Sequence, residues 1–247
     1  MPKNRVLISL LLLFSLLGCA TNRETFKPTA EELFKRAESA YAKKNYSRAI
    51  TILERLCNEY SKSTYYPGAL LLMGKSYIMI KDYTRAQSKL SEVVENYPST
   101  PFAEEASYLI AKSYLLDSPR PELDQENTYK AISAFEDFLS IYPNSQYADS
   151  ARSGLKKARE KLSHKMYLTA QLYYKMKDYE AALVYIDKFL ADYSDSSYLC
   201  EIIFLRGLVM KAKGDIDAAR ADFERVVKEY PSTKIAGKAK KELARLR

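Results

Sequence analysis

Lys81-Asp82-Tyr83-Thr84-Arg85-Ala86-Gln87-Ser88-Lys89-Leu90, continuing through Val93 and Val94 to Tyr97-Pro98-Ser99, is the stretch whose reading decides the fold. Tyr83, Ala86, Leu90, Val93 and Tyr97 recur every three or four residues, so they share one face of an α-helix. Pro98 has no amide hydrogen to donate and biases Tyr97 away from helical dihedrals, so the helix stops there. The same pattern is written five times. The first copy is Tyr46, Ala49, Leu53 and Tyr60. The third is Ala131, Phe135 and Tyr142-Pro143, with Thr128 where the aromatic belongs. The fourth is Tyr179, Ala182, Ile186 and Tyr193, and the fifth is Ile216, Ala219, Phe223 and Tyr230-Pro231. Successive terminal tyrosines lie 37, 45, 51 and 37 residues apart.

A second small residue stands nine positions ahead of the turn position in four copies, as Ala37, Gly74, Ala170 and Gly207. In the third, Ala111 lies 17 residues ahead of Thr128, an insertion of eight. Each copy therefore reads as two helices: the small residue admits the second helix closely, and the turn aromatic fills the gap below. One such pair cannot bury its own apolar face, whereas stacked neighbours bury a continuous core. The spacing resembles the tetratricopeptide repeat and implies an all-α chain, a tetratricopeptide-type α-solenoid of five helix-pair repeats. At 247 residues and 47% hydrophobic content the chain is long enough for such a core. Its seven glycines and 28% charged residues suit helices. Twenty-one tyrosines and no tryptophan suit packing surfaces where one end of each ring stays wet.

Residues 1–18 read as a signal peptide. Lys3 and Arg5 precede the 12-residue apolar run Val6–Leu17, too short for a membrane-spanning helix. The run ends Leu16-Leu17-Gly18-Cys19, which resembles the bacterial lipobox. That resemblance implies cleavage before Cys19 and attachment there of a diacylglycerol and an N-acyl chain, with no other cofactor expected. Several acyl chains hold a protein stably where a single one would be marginal. Ala20, in place of an aspartate, points by the same resemblance to the periplasmic face of the outer membrane. Residues 19–29 read as a lipidated tether.

The rest divides into 30–146, with repeats one to three, and 147–247, with a long helical segment and repeats four and five. Between Gln146 and Lys177 there is no proline and only Gly154, which predicts either one long helix or two abutting near His164. The 117–127 loop, polar with Pro119 and Pro121, reads equally as a tolerated insertion or a partner contact. Lys238, Lys240, Lys241, Arg245 and Arg247 suit a helix C-terminus, and Leu243 and Leu246 are too few between them to favour a membrane-surface role. Cys57 and Cys200 fall in repeats one and five, too far apart in a solenoid to bridge, and are expected as buried free thiols.

Stepping along the first helix of each N-terminal repeat gives a candidate peptide-binding groove: Phe34 and Tyr41, Leu71 and Ile78, Tyr108 and Leu115, with Lys75 and Lys112 between them. Such a surface suits an extended segment with an apolar end and a carboxylate. Packing between repeats explains the same residues equally well. For chemistry the chain offers little. The single His164 sits among lysines and serines, no Cys/His spacing fits a metal, and no Gly-rich phosphate loop follows a strand, so no enzyme is expected. The formal charge of +8, near +6 without residues 1–18, shows no basic run with interleaved aromatics, which argues against nucleic acid.

With lipobox and repeats in hand, Ala134-Phe135-Glu136-Asp137-Phe138, Tyr142-Pro143-Asn144-Ser145-Gln146-Tyr147 and Lys161-Leu162-Ser163-His164-Lys165-Met166-Tyr167 resemble the BamD family. These are tetratricopeptide lipoproteins of the outer-membrane β-barrel assembly machinery. The resemblance implies a non-enzymatic scaffold whose C-terminal half binds the POTRA region of a BamA-like barrel assembly subunit. It further implies N-terminal repeats that recognise C-terminal segments of unfolded outer-membrane proteins, and leaves room for other assembly lipoproteins. Ser194 and Ser61 stand where the family pattern expects proline. A repeat lipoprotein serving pilus, secretion or cell-division machinery is the alternative.

Overall fold

A computed structural model describes residues 27–246, and every described element is an α-helix. In chain order these are α1 Ala30–Ala42, α2 Tyr46–Glu59, α3 Tyr66–Met79, α4 Tyr83–Asn96, α5 Pro101–Asp117 and α6 Glu126–Ile141. They continue as α7 Ala148–Lys175, α8 Tyr179–Asp192, α9 Leu199–Lys213, α10 Ile216–Glu229 and α11 Lys234–Arg245. Each helix packs on its neighbour in sequence and, along the first helices of the pairs, on the next but one. Among the described residues no helix touches one farther away. That one-dimensional contact pattern is a solenoid. It contains five pairs, α1–α2 to α9–α10, closed by α11.

The chain punctuates this array with recurring local chemistry. Thr29 caps α1 with a reciprocal capping box to Glu32. Between the helices of four pairs, one residue takes the left-handed conformation: Lys44, Lys81, Lys177 and Gly214, at φ 60°, 63°, 61° and 88°. The next residue, Asn45, Asp82, Asp178 or Asp215, caps the second helix by accepting the amide of the residue three further on. At the far end Tyr60, Tyr97, Tyr142, Tyr193 and Tyr230 leave helical dihedrals. Each tyrosine carbonyl then accepts the amide of a hydroxyl residue three on: Ser63, Thr100, Ser145, Ser196 or Thr233. This turn forms without proline, which is why Ser61 and Ser194 do not disturb it.

The small residues admit a different side chain from the one the spacing suggests. A Cβ on Gly74 would lie 2.6 Å from Leu90, and one on Gly207 would lie 2.6 Å from Phe223. The knob is therefore the residue seven positions after the turn position, fully buried as Leu53, Leu90, Phe135, Ile186 and Phe223. Tyr83 and Tyr179 remain half-exposed at the rim.

The segment after Gln146 is one uninterrupted helix, α7, of 28 residues. At 1.5 Å per residue it runs about 42 Å. Its first half packs on α6, with Ala151 and Ala158 in the core beside Phe135 and Phe138. Its second half packs on α8 and joins the C-terminal core through Leu162 and Ala170. His164 is half-buried and stacks on Tyr198 with centroids 4.3 Å apart, so it is not the solvated surface side chain its neighbours in sequence suggest. Both described cysteines are free; Cys200 is buried, whereas Cys57 is only half-buried. Among the described residues no helix is long and apolar enough to cross a membrane. The signal segment 1–18, Cys19 and most of the 19–29 tether lie outside the described residues.

Candidate peptide-binding site

Tyr108, Lys112, Leu115 and Leu116 lie four, seven and eight residues along α5, which puts them on one stripe facing α7. Across from them α7 presents Ser150, Ser153 and Gly154, then Lys157 and Lys161. Those small residues leave an open cleft of about 660 Å³ between the two helices, with the buried ring of Phe135 as its floor. Gly154 packs directly over that ring, since a Cβ there would fall 2.3 Å from Phe135 Cζ and force it to shift.

The cleft walls differ in chemistry. At one end Tyr108 stacks on Tyr147 with centroids 4.9 Å apart and planes 9° from parallel. Lys112 Nζ stands 5.8 Å over the Tyr108 ring and is exposed. Leu116 is 48% exposed, an apolar side chain with no protein to cover it. Lys161 donates to the Ser118 carbonyl at 3.0 Å and to the Ser118 hydroxyl, and its burial holds its ammonium below the usual lysine range. Asp149 is paired with Arg152 at 2.7 Å. None of the cleft lysines has a carboxylate partner among the described residues, but Lys161 is held by Ser118, which leaves Lys112 and Lys157 as the ammonium groups without a hydrogen-bond partner there.

The eight groove residues do not form one surface. Tyr108, Lys112 and Leu115 line the cleft. Leu71 is 6% exposed and sits in the core of α3, α4 and α5. Ile78 packs, half-buried, against the cores on either side of it. Phe34 packs on Tyr65 at 5.5 Å, and Phe34 and Phe102 both reach the space over Gly68. Tyr41 meets Tyr46 edge-on at 5.3 Å. Lys75 is bound by Glu105 at 2.8 Å, so its charge is not available to a ligand. The α7 wall, with Ser153, Gly154 and Lys157, is absent from the groove that sequence spacing gives; the small residues Ser150, Ala151, Ser153 and Gly154, interrupted by Arg152, are its only trace there. The 117–127 loop lies against α7, where Lys165 donates to the Leu123 carbonyl at 2.6 Å. Gln125 fastens the loop from inside, donating to the carbonyls of Arg120 and Leu123.

The sequence matches the family YfiO, outer membrane lipoprotein, over residues 27–176 and 164–247. The chain belongs to the YfiO family. This is the BamD family that the lipobox and repeat segments resemble. YfiO membership and the helix-pair array together make the chain a repeat scaffold of an outer membrane lipoprotein family. Solved structures similar to it include a thermophilic TPR protein of Thermus thermophilus, at 15% identity and TM-score 0.39, covering 88% of this chain and 98% of that one. MamA of Desulfovibrio magneticus is 16% identical at TM-score 0.42, covering 83% and 97%. The TPR2AB domain of yeast Sti1, in complex with pHSP90, is 15% identical at TM-score 0.45, covering 84% and 80%. No curated protein matches by sequence.

Proposed function

We propose that this YfiO-family chain is a lipid-anchored scaffold of β-barrel assembly at the periplasmic face of the outer membrane. Acyl groups on Cys19 supply the anchor, and no other cofactor takes part. The α5–α7 cleft holds the C-terminal segment of an unfolded outer-membrane protein. The C-terminal pairs engage the POTRA region of a BamA-like subunit and leave surface for further assembly lipoproteins.

The cleft carries this reading. It combines an apolar wall, half-buried Tyr108 and Leu115 with exposed Leu116, with two unpaired cations, Lys112 and Lys157, in a volume suited to a few side chains. An extended segment ending in an aromatic residue satisfies both, its ring on the apolar wall and its terminal carboxylate toward the lysines. The exposed Leu172 on α7, Met176 just past its end and Val184 on α8 support a protein contact on the C-terminal half.

Fluorescence anisotropy with a barrel-protein C-terminal peptide tests the cleft. Lys112→Ala and Lys157→Ala should each weaken binding about fivefold, the worth of one partly exposed ion pair. Amidating the peptide should weaken wild-type binding and erase the lysine dependence. Peptide affinity indifferent to both lysines and to amidation would remove the site. Pull-down of POTRA domains tests the second contact separately, and absence of binding by the folded chain would exclude it.

A further inference from the structure

The helix α11 closes the solenoid and spends its apolar face there: Ala236 and Ala239 are buried, and Ile235, Leu243 and Leu246 pack on the C-terminal core. The face turned away from the core is cationic. Lys234, Lys238, Lys241 and Arg245 lie four, seven and eleven residues along the helix, within one narrow stripe, and all four are exposed. Lys240 is also exposed, on the flank of the helix away from this stripe. The helix carries five cations and one carboxylate, Glu242, so its net charge is +4 of the chain's +8.

Only Arg245 falls in the last turn of α11, so the other cations do not serve the helix C-terminus as their place in the sequence suggests. Lys234 and Lys238 stand in the first turn or just after it, where the macrodipole is positive, and α11 has no acidic residue in its first turn. Neighbours four apart repel rather than pair. Elsewhere in the chain such positions alternate in sign, as in Lys35–Glu31, Arg55–Glu59 and Arg225–Glu229. In α11 only Arg245 has a carboxylate, Glu242, and that group also binds Lys211. Lys234, Lys238 and Lys241 have none among the described residues.

We propose that the α11 stripe is a docking surface for anionic phospholipid headgroups, set at the end of the solenoid opposite the N-terminal tether. A protein interface needs a desolvated apolar or aromatic centre. Apart from cations, the exposed residues of α11 are Gly237 and Ala244, and around Gly237 a Cβ would meet nothing within 4 Å. Such a surface offers only charge, which sums over a plane of headgroups. Membership in an outer membrane lipoprotein family places a lipid surface within reach.

Vesicle flotation of the full chain carrying Cys19→Ser tests this, read as the ratio of partition onto phosphatidylglycerol-containing vesicles over pure phosphatidylcholine. Every variant carries the same N-terminal segment, so what that segment adds, Lys3 and Arg5 included, cancels when each ratio is compared with that of the Cys19→Ser chain. Each of Lys234→Gln, Lys238→Gln and Lys241→Gln should lower the ratio about fivefold, and the triple variant about a hundredfold. Lys→Arg at the same positions should retain it, and high salt should abolish it. Removing three exposed lysines elsewhere, Lys43, Lys62 and Lys188, should change it less than about twofold. A wild-type ratio near one, or equal losses in the two triple variants, overturns the proposal. Stripe-dependent binding of polyglutamate without any vesicle preference overturns it too, assigning the stripe to an acidic polypeptide. No partner protein enters the assay, so its outcome is independent of the peptide cleft.

Discussion

Gly154→Ala, set beside Gly237→Ala, isolates the packing on which the α5–α7 cleft rests. Both replace a glycine inside a helix with alanine, which alone stabilises a helix by about 1 kcal/mol. At Gly237 the new methyl meets nothing within 4 Å, so that gain is realised. At Gly154 the methyl would stand 2.3 Å from Phe135 Cζ and 2.8 Å from both Cε atoms. The ring must retreat by about 1.2 Å to reach ordinary contact. Phe135 is 1% exposed and held between Ala111, Phe138 and Ala158, so it cannot swing into solvent. Overpacking of this kind costs about 1–3 kcal/mol. Subtracting the Gly237→Ala result cancels the propensity gain, leaving a difference of about 1–3 kcal/mol between the two variants. In thermal melts of a chain this size each kcal/mol moves the midpoint by about 2–4 °C. Gly237→Ala should therefore melt higher than wild type, and Gly154→Ala lower than Gly237→Ala by about 2–12 °C. Phe135→Leu in the Gly154→Ala background should recover most of the loss, with a coupling of at least about 1 kcal/mol. Equal, stabilising shifts for the two alanines would refute the reasoning, because Phe135 could not then lie under α7.

Three further outcomes follow from single side chains. Asp222 is 4% exposed and accepts three hydrogen bonds from Arg206; Asp222→Ala strands that guanidinium and should cost about 3 kcal/mol in urea unfolding. Hydrogen bonding to Lys211, and its charge with that of Arg245, hold Glu242 below its ordinary carboxylate pKa. Its contribution is therefore complete above the unfolded pKa and lost as pH falls through the lowered folded value, so the stability gap between wild type and Glu242→Gln should be full above about pH 5 and close in stronger acid. Burial pushes the Cys57 thiol up to about 11, so at pH 8 its alkylation should run at least about fiftyfold slower than that of a free cysteine.

The repeat was legible because its signal is a period: five copies of a turn residue (aromatic in three), a small residue and a tyrosine cannot all be placed on one face unless helices stack. What that periodicity could not show was which side chain fills each gap. Tyr83 and Leu90 share a face, and only the neighbouring backbone decides that Leu90 meets Gly74. The continuity of α7 was open for a similar reason, since nothing between Gln146 and Lys177 either breaks a helix or requires it to persist. Half of the cleft could be read because Tyr108, Lys112 and Leu115 sit on one helix. The other half depends on α7 crossing α5 some 40 residues later in the chain. Lys75 shows the same limit, for its partner Glu105 is 30 residues away.

Photo-crosslinking in cells examines the central claim most directly: a light-activated phenylalanine analogue is placed at Leu116, at the mouth of the cleft, and at Ile52, a half-buried position on α2 away from it. The account predicts adducts to unassembled outer-membrane barrel proteins from position 116, lost when Lys112 and Lys157 are both alanine, and none from position 52. Adducts equally abundant from both positions, or absent from 116 in a chain that remains folded, would contradict it.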